Sequence, residues 1–89
     1  MGKTVKDQIL QTLDELLKDD LKRFKSKLND IRLNEYGNIP RGRLEHADPM
    51  DIAQMVIDFY GEQNAGVVVV RVLREINQKD LAARLENGF

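Results

Sequence analysis

Few side chains in this 89-residue chain carry catalytic chemistry, and their spacing assembles none. Ser26 is the single serine. A serine nucleophile needs a positioned base and an oxyanion hole, and nothing in the sequence supplies that set. His46, the single histidine, lies in an acidic stretch and reads as a surface residue of a short helix rather than a pH-sensitive contact. Asp48 and Asp51 could be imagined as paired carboxylates, yet their spacing is that of a helix N-cap and its box residue, the simpler account. The absence of cysteine excludes a disulfide framework, a thiolate zinc site and a cysteine nucleophile. Tyr36 and Tyr60 are too few to build a stacking platform for single strands. The expectation is no enzyme: no catalytic residue, no cofactor, no metal and no small-molecule substrate.

Charge is the informative chemistry. The formal net charge is −1, but it is unevenly distributed. Residues 21–43 hold Lys22, Arg23, Lys25, Lys27, Arg32, Arg41 and Arg43 against Asp30 and Glu35, net +5. Residues 44–62 hold Glu45, Asp48, Asp51, Asp58 and Glu62 with no lysine or arginine, net −5. The flanks are milder, −2 over residues 1–20 and +1 over residues 63–89. A chain neutral in sum but polarised along its length suits contact between oppositely charged protein surfaces better than binding to nucleic acid.

The elements that must carry these charges read as helices. Val5, Ile9, Leu10, Leu13, Leu16 and Leu17 form an apolar stripe over residues 4–17, with Thr4 and Asp7 as a capping box. A second helix is expected near residues 19–30, with Asp19 and Asp20 in its first turn and Leu21, Phe24, Leu28 and Ile31 inward. Periodicity fades over residues 31–41, where Tyr36-Gly37-Asn38 reads as a turn and Pro40 keeps Ile39 extended. A short helical piece is expected over residues 43–47. Asp48 as cap, Pro49 at the first helical position and Asp51 in the box open a helix burying Ile52, Val56, Phe59 and Tyr60 and ending at Gly61. Val67 to Val70 alone would read as a strand. The pattern Val69, Leu73, Ile76 continues past it at helical spacing with Asn64 as cap, so a helix is expected. Asn77 is expected to cap a last helix over residues 78–86, with Leu81, Ala82 and Leu85 inward and Asn87-Gly88 as its stop.

These elements make one domain over residues 1–89, with core 4–86 and residues 87–89 as tail or linker start. The fold class is all-α, a six-helix antiparallel bundle with a short third helix. The longest apolar stretch, Gly66 to Val70, falls far short of a membrane span. The start Met1-Gly2-Lys3-Thr4-Val5-Lys6 has neither a signal-peptide apolar region nor the myristoylation pattern. No membrane contact and a cytoplasmic location are the expectation.

In order along residues 4–86 stand Leu13-x-x-Leu16, Leu21-Lys22-Arg23-Phe24-Lys25-x-Lys27-Leu28, Ile39-Pro40-Arg41-Gly42-x-Leu44, Asp51-Ile52-Ala53, Tyr60 and Leu73-Arg74-x-Ile76-x-x-x-Asp80-Leu81-Ala82. Together they resemble the signature of the pyrin domain, a member of the death-fold superfamily. The resemblance implies a homotypic interaction module of inflammasome and innate immune signalling, carried by receptors, their adaptor or some fish caspases. Its partners would be other pyrin domains, with self-assembly into filaments possible. It further implies that acidic residues of helices one and four meet basic residues of helices two and three on the next molecule. The matching positions are Asp7, Asp14, Asp48 and Asp51 on the acidic face and Lys22, Arg23, Lys27 and Arg41 on the basic face. Gln11 and Gln54 fill two positions that are acidic in the adaptor, and Leu17 replaces a common Ser or Thr cap. Two alternatives stand beside this reading: a nucleic-acid-binding module using the basic 21–43 segment, and a pyrin-only decoy that caps filaments.

Overall fold

A computed structural model describes residues 4–31 and 38–88, all of whose regular elements are helices. Their order is α1 (Val5–Asp14), α2 (Lys18–Asp30), α3 (Arg41–Leu44), α4 (Pro49–Tyr60), α5 (Glu62–Glu75) and α6 (Lys79–Asn87). The expected turn at Tyr36-Gly37, and the charges of Arg32 and Glu35, lie outside the described residues.

Two helices start where local chemistry dictates. The Thr4 hydroxyl accepts from the Asp7 amide at 3.1 Å while the Asp7 carboxylate accepts from the Thr4 amide at 3.4 Å. Asp48 and Asp51 repeat the arrangement at 2.8 and 3.4 Å, with Pro49 inside the first turn. Each box satisfies donors that the helix itself leaves orphaned.

Four expectations about boundaries are corrected. The first helix stops at Asp14 rather than running to residue 17, and Leu17 leaves the apolar stripe, 74% exposed. It occupies the N-cap position of α2 in extended backbone and gives no side-chain cap, because a leucine has no acceptor to offer. The short third helix begins at Arg41, two residues early, since Pro40 sets its φ at −58° and its carbonyl accepts from the Arg43 amide at 3.1 Å. The fifth helix begins at Glu62 after Gly61, so Asn64 is no cap; its side-chain amide donates to the Tyr60 carbonyl at 3.2 Å.

Asn77 closes α5 instead of opening α6. It takes the left-handed conformation with φ +67°, its amide donates to the Arg74 carbonyl at 3.1 Å, and the Gln78 amide donates to the Leu73 carbonyl at 2.8 Å. That crossed pair is a Schellman ending, and asparagine is the best non-glycine residue for its central conformation.

One apolar core holds the bundle. Ile9 and Leu13 of α1, Phe24 and Leu28 of α2, Ile52 and Val56 of α4, Val69, Val72 and Leu73 of α5 and Ala82 of α6 are fully buried. The valine run is helical, as the continued spacing requires, because Val68, Val69, Val70 and Val72 bury against neighbouring helices; packing overrides strand propensity. Leu21 and Phe59 reach this core only as half-buried packing. Between α2 and α3, the Asn29 side chain donates to the Ile39 carbonyl at 2.9 Å and Asn38 donates to the Ile31 carbonyl. Burial pushes the Tyr60 phenol above its ordinary value of 10.0.

Candidate protein-interaction surfaces

The predicted acidic residues lie on α1 and at the start of α4, and the predicted basic residues lie on α2 and α3. α1 packs against α4, and α2 packs against α3, while α5 touches α1, α2 and α4.

On the basic pair, Lys18, Lys22 and Lys25 share one face of α2 at spacings of four and three. They line a groove with Leu21, Leu44 and Arg41. Lys22 and Arg41 are thus brought together. Arg41 opens α3 rather than sitting in a loop, and both residues are exposed. Among the described residues, neither forms an ion pair. The Lys25 ammonium donates to the Glu45 carbonyl at 3.3 Å, tying α2 to the end of α3. The other two predicted basic residues are engaged locally. Arg23 lies 3.5 Å from Asp20, and Lys27 lies 3.8 Å from Glu75 of α5.

Arg43 departs from its sequence block. It shares a shallow groove with His46, Asp51, Gln54 and Asp58, where α3 meets α4. The basic segment of the sequence is therefore divided in space, and one arginine stands among the acids.

On the acidic pair, Asp7 and Asp51 serve as box residues and Asp48 as the N-cap, so each has a structural duty besides its charge. Asp14 is different: it is exposed at the last position of α1. A carboxylate at a helix C-terminus opposes the macrodipole at a cost of about 0.3–1 kcal/mol, so helix chemistry gives no reason for it. Asp58 adds to the acids of α4 and accepts from the Gln54 amide at 2.8 Å.

Lys18, Leu21 and Leu44 belong to the basic groove without being predicted site residues, and Lys25 of the basic run joins them. The 18–22–25 spacing was the available signal for the lysines. The leucines carried none, because the same residues read equally well as core.

The PAAD/DAPIN/Pyrin domain family matches residues 8–83. Pyrin of Mus musculus is 41% identical over 89 residues, which is 99% of this chain and 12% of that protein. The mouse apoptosis-associated speck-like protein containing a CARD is 38% identical over 87 residues, 97% of this chain and 45% of that protein. The chain thus spans less than half the length of either relative. Human pyrin domain-containing protein 1 is 38% identical over 86 residues and is covered to 97% of its length. The solution structure of the pyrin domain of human Pyrin superposes with a TM-score of 0.86 at 38% identity, covering 94% of each chain.

Proposed function

Because the chain belongs to the pyrin-domain family, a death fold, we propose that it is a homotypic docking module that binds other pyrin domains. Acidic residues of α1 and α4 (Asp7, Asp14, Asp48, Asp51) dock against basic residues of α2 and α3 (Lys22, Arg23, Lys27, Arg41) of the next molecule. The observation that supports this reading is the groove between α2 and α3, which gathers Lys18, Lys22, Lys25 and Arg41 beside a single acid, Glu45.

Lys22 and Arg41 supply the strongest basic contact, and Asp14 with the α4 start supplies its acidic counterpart. A contact between unlike faces is heterologous and builds open chains unless its rotation closes a ring. Single exposed ion pairs contribute only about 0–1 kcal/mol. Charge therefore sets partner choice and encounter rate more than affinity, and repeated contacts in an assembly strengthen the whole. A human relative is named for its NACHT, LRR and PYD domains and a mouse relative for its CARD, which fits a role for this chain in inflammasome-type signalling. Among the described residues, no helix is long and apolar enough to cross a membrane.

The test is titration of this chain against a second pyrin domain and, separately, against duplex DNA of random sequence. Salt-sensitive binding to the protein with none to the DNA supports the docking module. The reverse result favours a nucleic-acid module.

A further inference from the structure

The sequence has three aliphatic hydroxyls, Thr4, Thr12 and Ser26. Thr4 is committed to the Asp7 amide, and Thr12 is buried with its hydroxyl donating to the Gln8 carbonyl at 2.9 Å. Ser26 is the remaining one. It is exposed on α2 and lines the groove that holds Lys18, Lys22, Lys25 and Arg41. We infer that Ser26 is a phosphoacceptor for an arginine-directed protein kinase, and that its phosphorylation switches off the basic docking groove.

Two features fit this role. Arg23 stands three residues before Ser26, with Lys22, Lys25 and Lys27 around it, so an acidic kinase cleft has a cationic segment to grip. Second, α2 buries only Phe24 and Leu28 fully within its span, whereas α5 buries seven residues, and the contacts of Lys25 and Lys27 to Glu45 and Glu75 are exposed polar ones. Local opening, which a kinase needs to draw the segment into an extended shape, is easiest in elements held this lightly.

In the transfer, the Ser26 Oγ attacks the γ-phosphorus of a nucleoside triphosphate supplied with the kinase. The new O–P bond forms as the bond to the β–γ bridging oxygen breaks. The nucleoside diphosphate leaves, and the hydroxyl proton passes to the kinase's carboxylate base.

The product changes the groove. A phosphoserine carries about −1.5 to −2 charge and three strong acceptor oxygens. Lys22 sits one helical turn before Ser26, on the same side of α2. The groove holds four cations against Glu45. The phosphate offsets about two of the four and offers Lys22 and Arg41 an intramolecular partner in place of a neighbour's aspartates.

This switch rests on the docking function proposed above, so its test separates the two. The full chain is incubated with a kinase of the arginine-at-minus-three class and Mg-ATP. The phosphate is located by mass spectrometry, and docking of the product to a second pyrin domain is measured at fixed ionic strength. The expected result is one phosphoryl group on Ser26, none on Ser26→Ala, and docking weakened about ten-fold. The reference for docking is the unaltered chain incubated with the kinase in the absence of ATP. No incorporation at Ser26 overturns the inference. Arg41→Glu is measured in parallel. If it weakens docking while phosphorylation does not, the switch is wrong and the docking function stands. If neither changes docking, the basic groove is not the docking face and the switch falls with it, and if the unaltered chain does not dock at all, the docking function itself falls.

Discussion

Lys22 of α2 and Arg41 of α3 line one groove, brought together by the packing of those two helices. Neither has an ion-pair partner among the described residues, whereas Arg23 and Lys27 on the same helix are each near a carboxylate. The basic face therefore has a hierarchy that its composition does not show. Two cations are available to a neighbour, and two must first leave a partner.

That hierarchy is measurable. Lys22→Glu and Arg41→Glu are each expected to weaken docking to a second pyrin domain more than Arg23→Ala or Lys27→Ala. Each reversal removes one exposed contact and adds a repulsion, about 1 kcal/mol or somewhat more. Because the two residues share a groove, the double variant should deviate from additivity, and a double-mutant cycle reads the deviation directly.

Asp48 has two duties, capping α4 and carrying charge, and two substitutions separate them. Asp48→Ser keeps an acceptor for the Asp51 amide, so thermal stability should stay within a few tenths of a kcal/mol, while docking weakens. Asp48→Ala loses both, with stability falling by about 1 kcal/mol. Equal docking by Asp48→Ser and the unaltered chain would show that the aspartate is only a cap.

Gly61 joins α4 to α5 at φ +87° and ψ 155°, a conformation that side chains disfavour even though a Cβ there meets nothing within 4 Å. Gly61→Ala is expected to cost about 1–3 kcal/mol through backbone strain alone. Thermal unfolding of the variant checks this, and an unchanged midpoint would contradict the strain.

Tyr60 gives a pH dependence with a definite sign. Burial raises the folded-state phenol above 10.0, so the unfolded chain releases this proton first. The associated stability is present below pH 10 and is lost as pH rises toward the folded-state value. Comparing urea midpoints of the unaltered chain and Tyr60→Phe from pH 8 to 11 isolates the effect. The unaltered chain should lose stability more steeply.

How much of this was legible in the sequence depended on whether the deciding interaction was local. Thr4 with Asp7, and Asp48 with Pro49 and Asp51, act within one turn, and their helix starts lie where the residue types put them. The valines of α5 could be assigned because the periodicity continued through Leu73. Asn77 and Asn64 misled because asparagine serves helix starts and helix ends alike; only the backbone bonds of Gln78 and Asn77 show that Asn77 ends a helix. Leu17 reads as core by spacing, but α1 had already stopped at Asp14. The candidate site was legible in part as two opposite charge blocks, with Asp7 and Asp14 outside both. The engagement of Lys27 by Glu75 and the placing of Arg43 among the α4 acids were not, since both arise from helices meeting in space.

The central claim is that one charged face docks against the other. It is tested most directly by mixing two variants, Arg41→Glu and the double substitution Asp14→Asn with Asp48→Ser, in sedimentation velocity at low ionic strength. Each variant keeps one working face. The account predicts that each alone sediments as a monomer and that the mixture forms a one-to-one complex that dissolves as salt is raised. Self-association of both variants, or a mixture with no complex at any concentration, would contradict it.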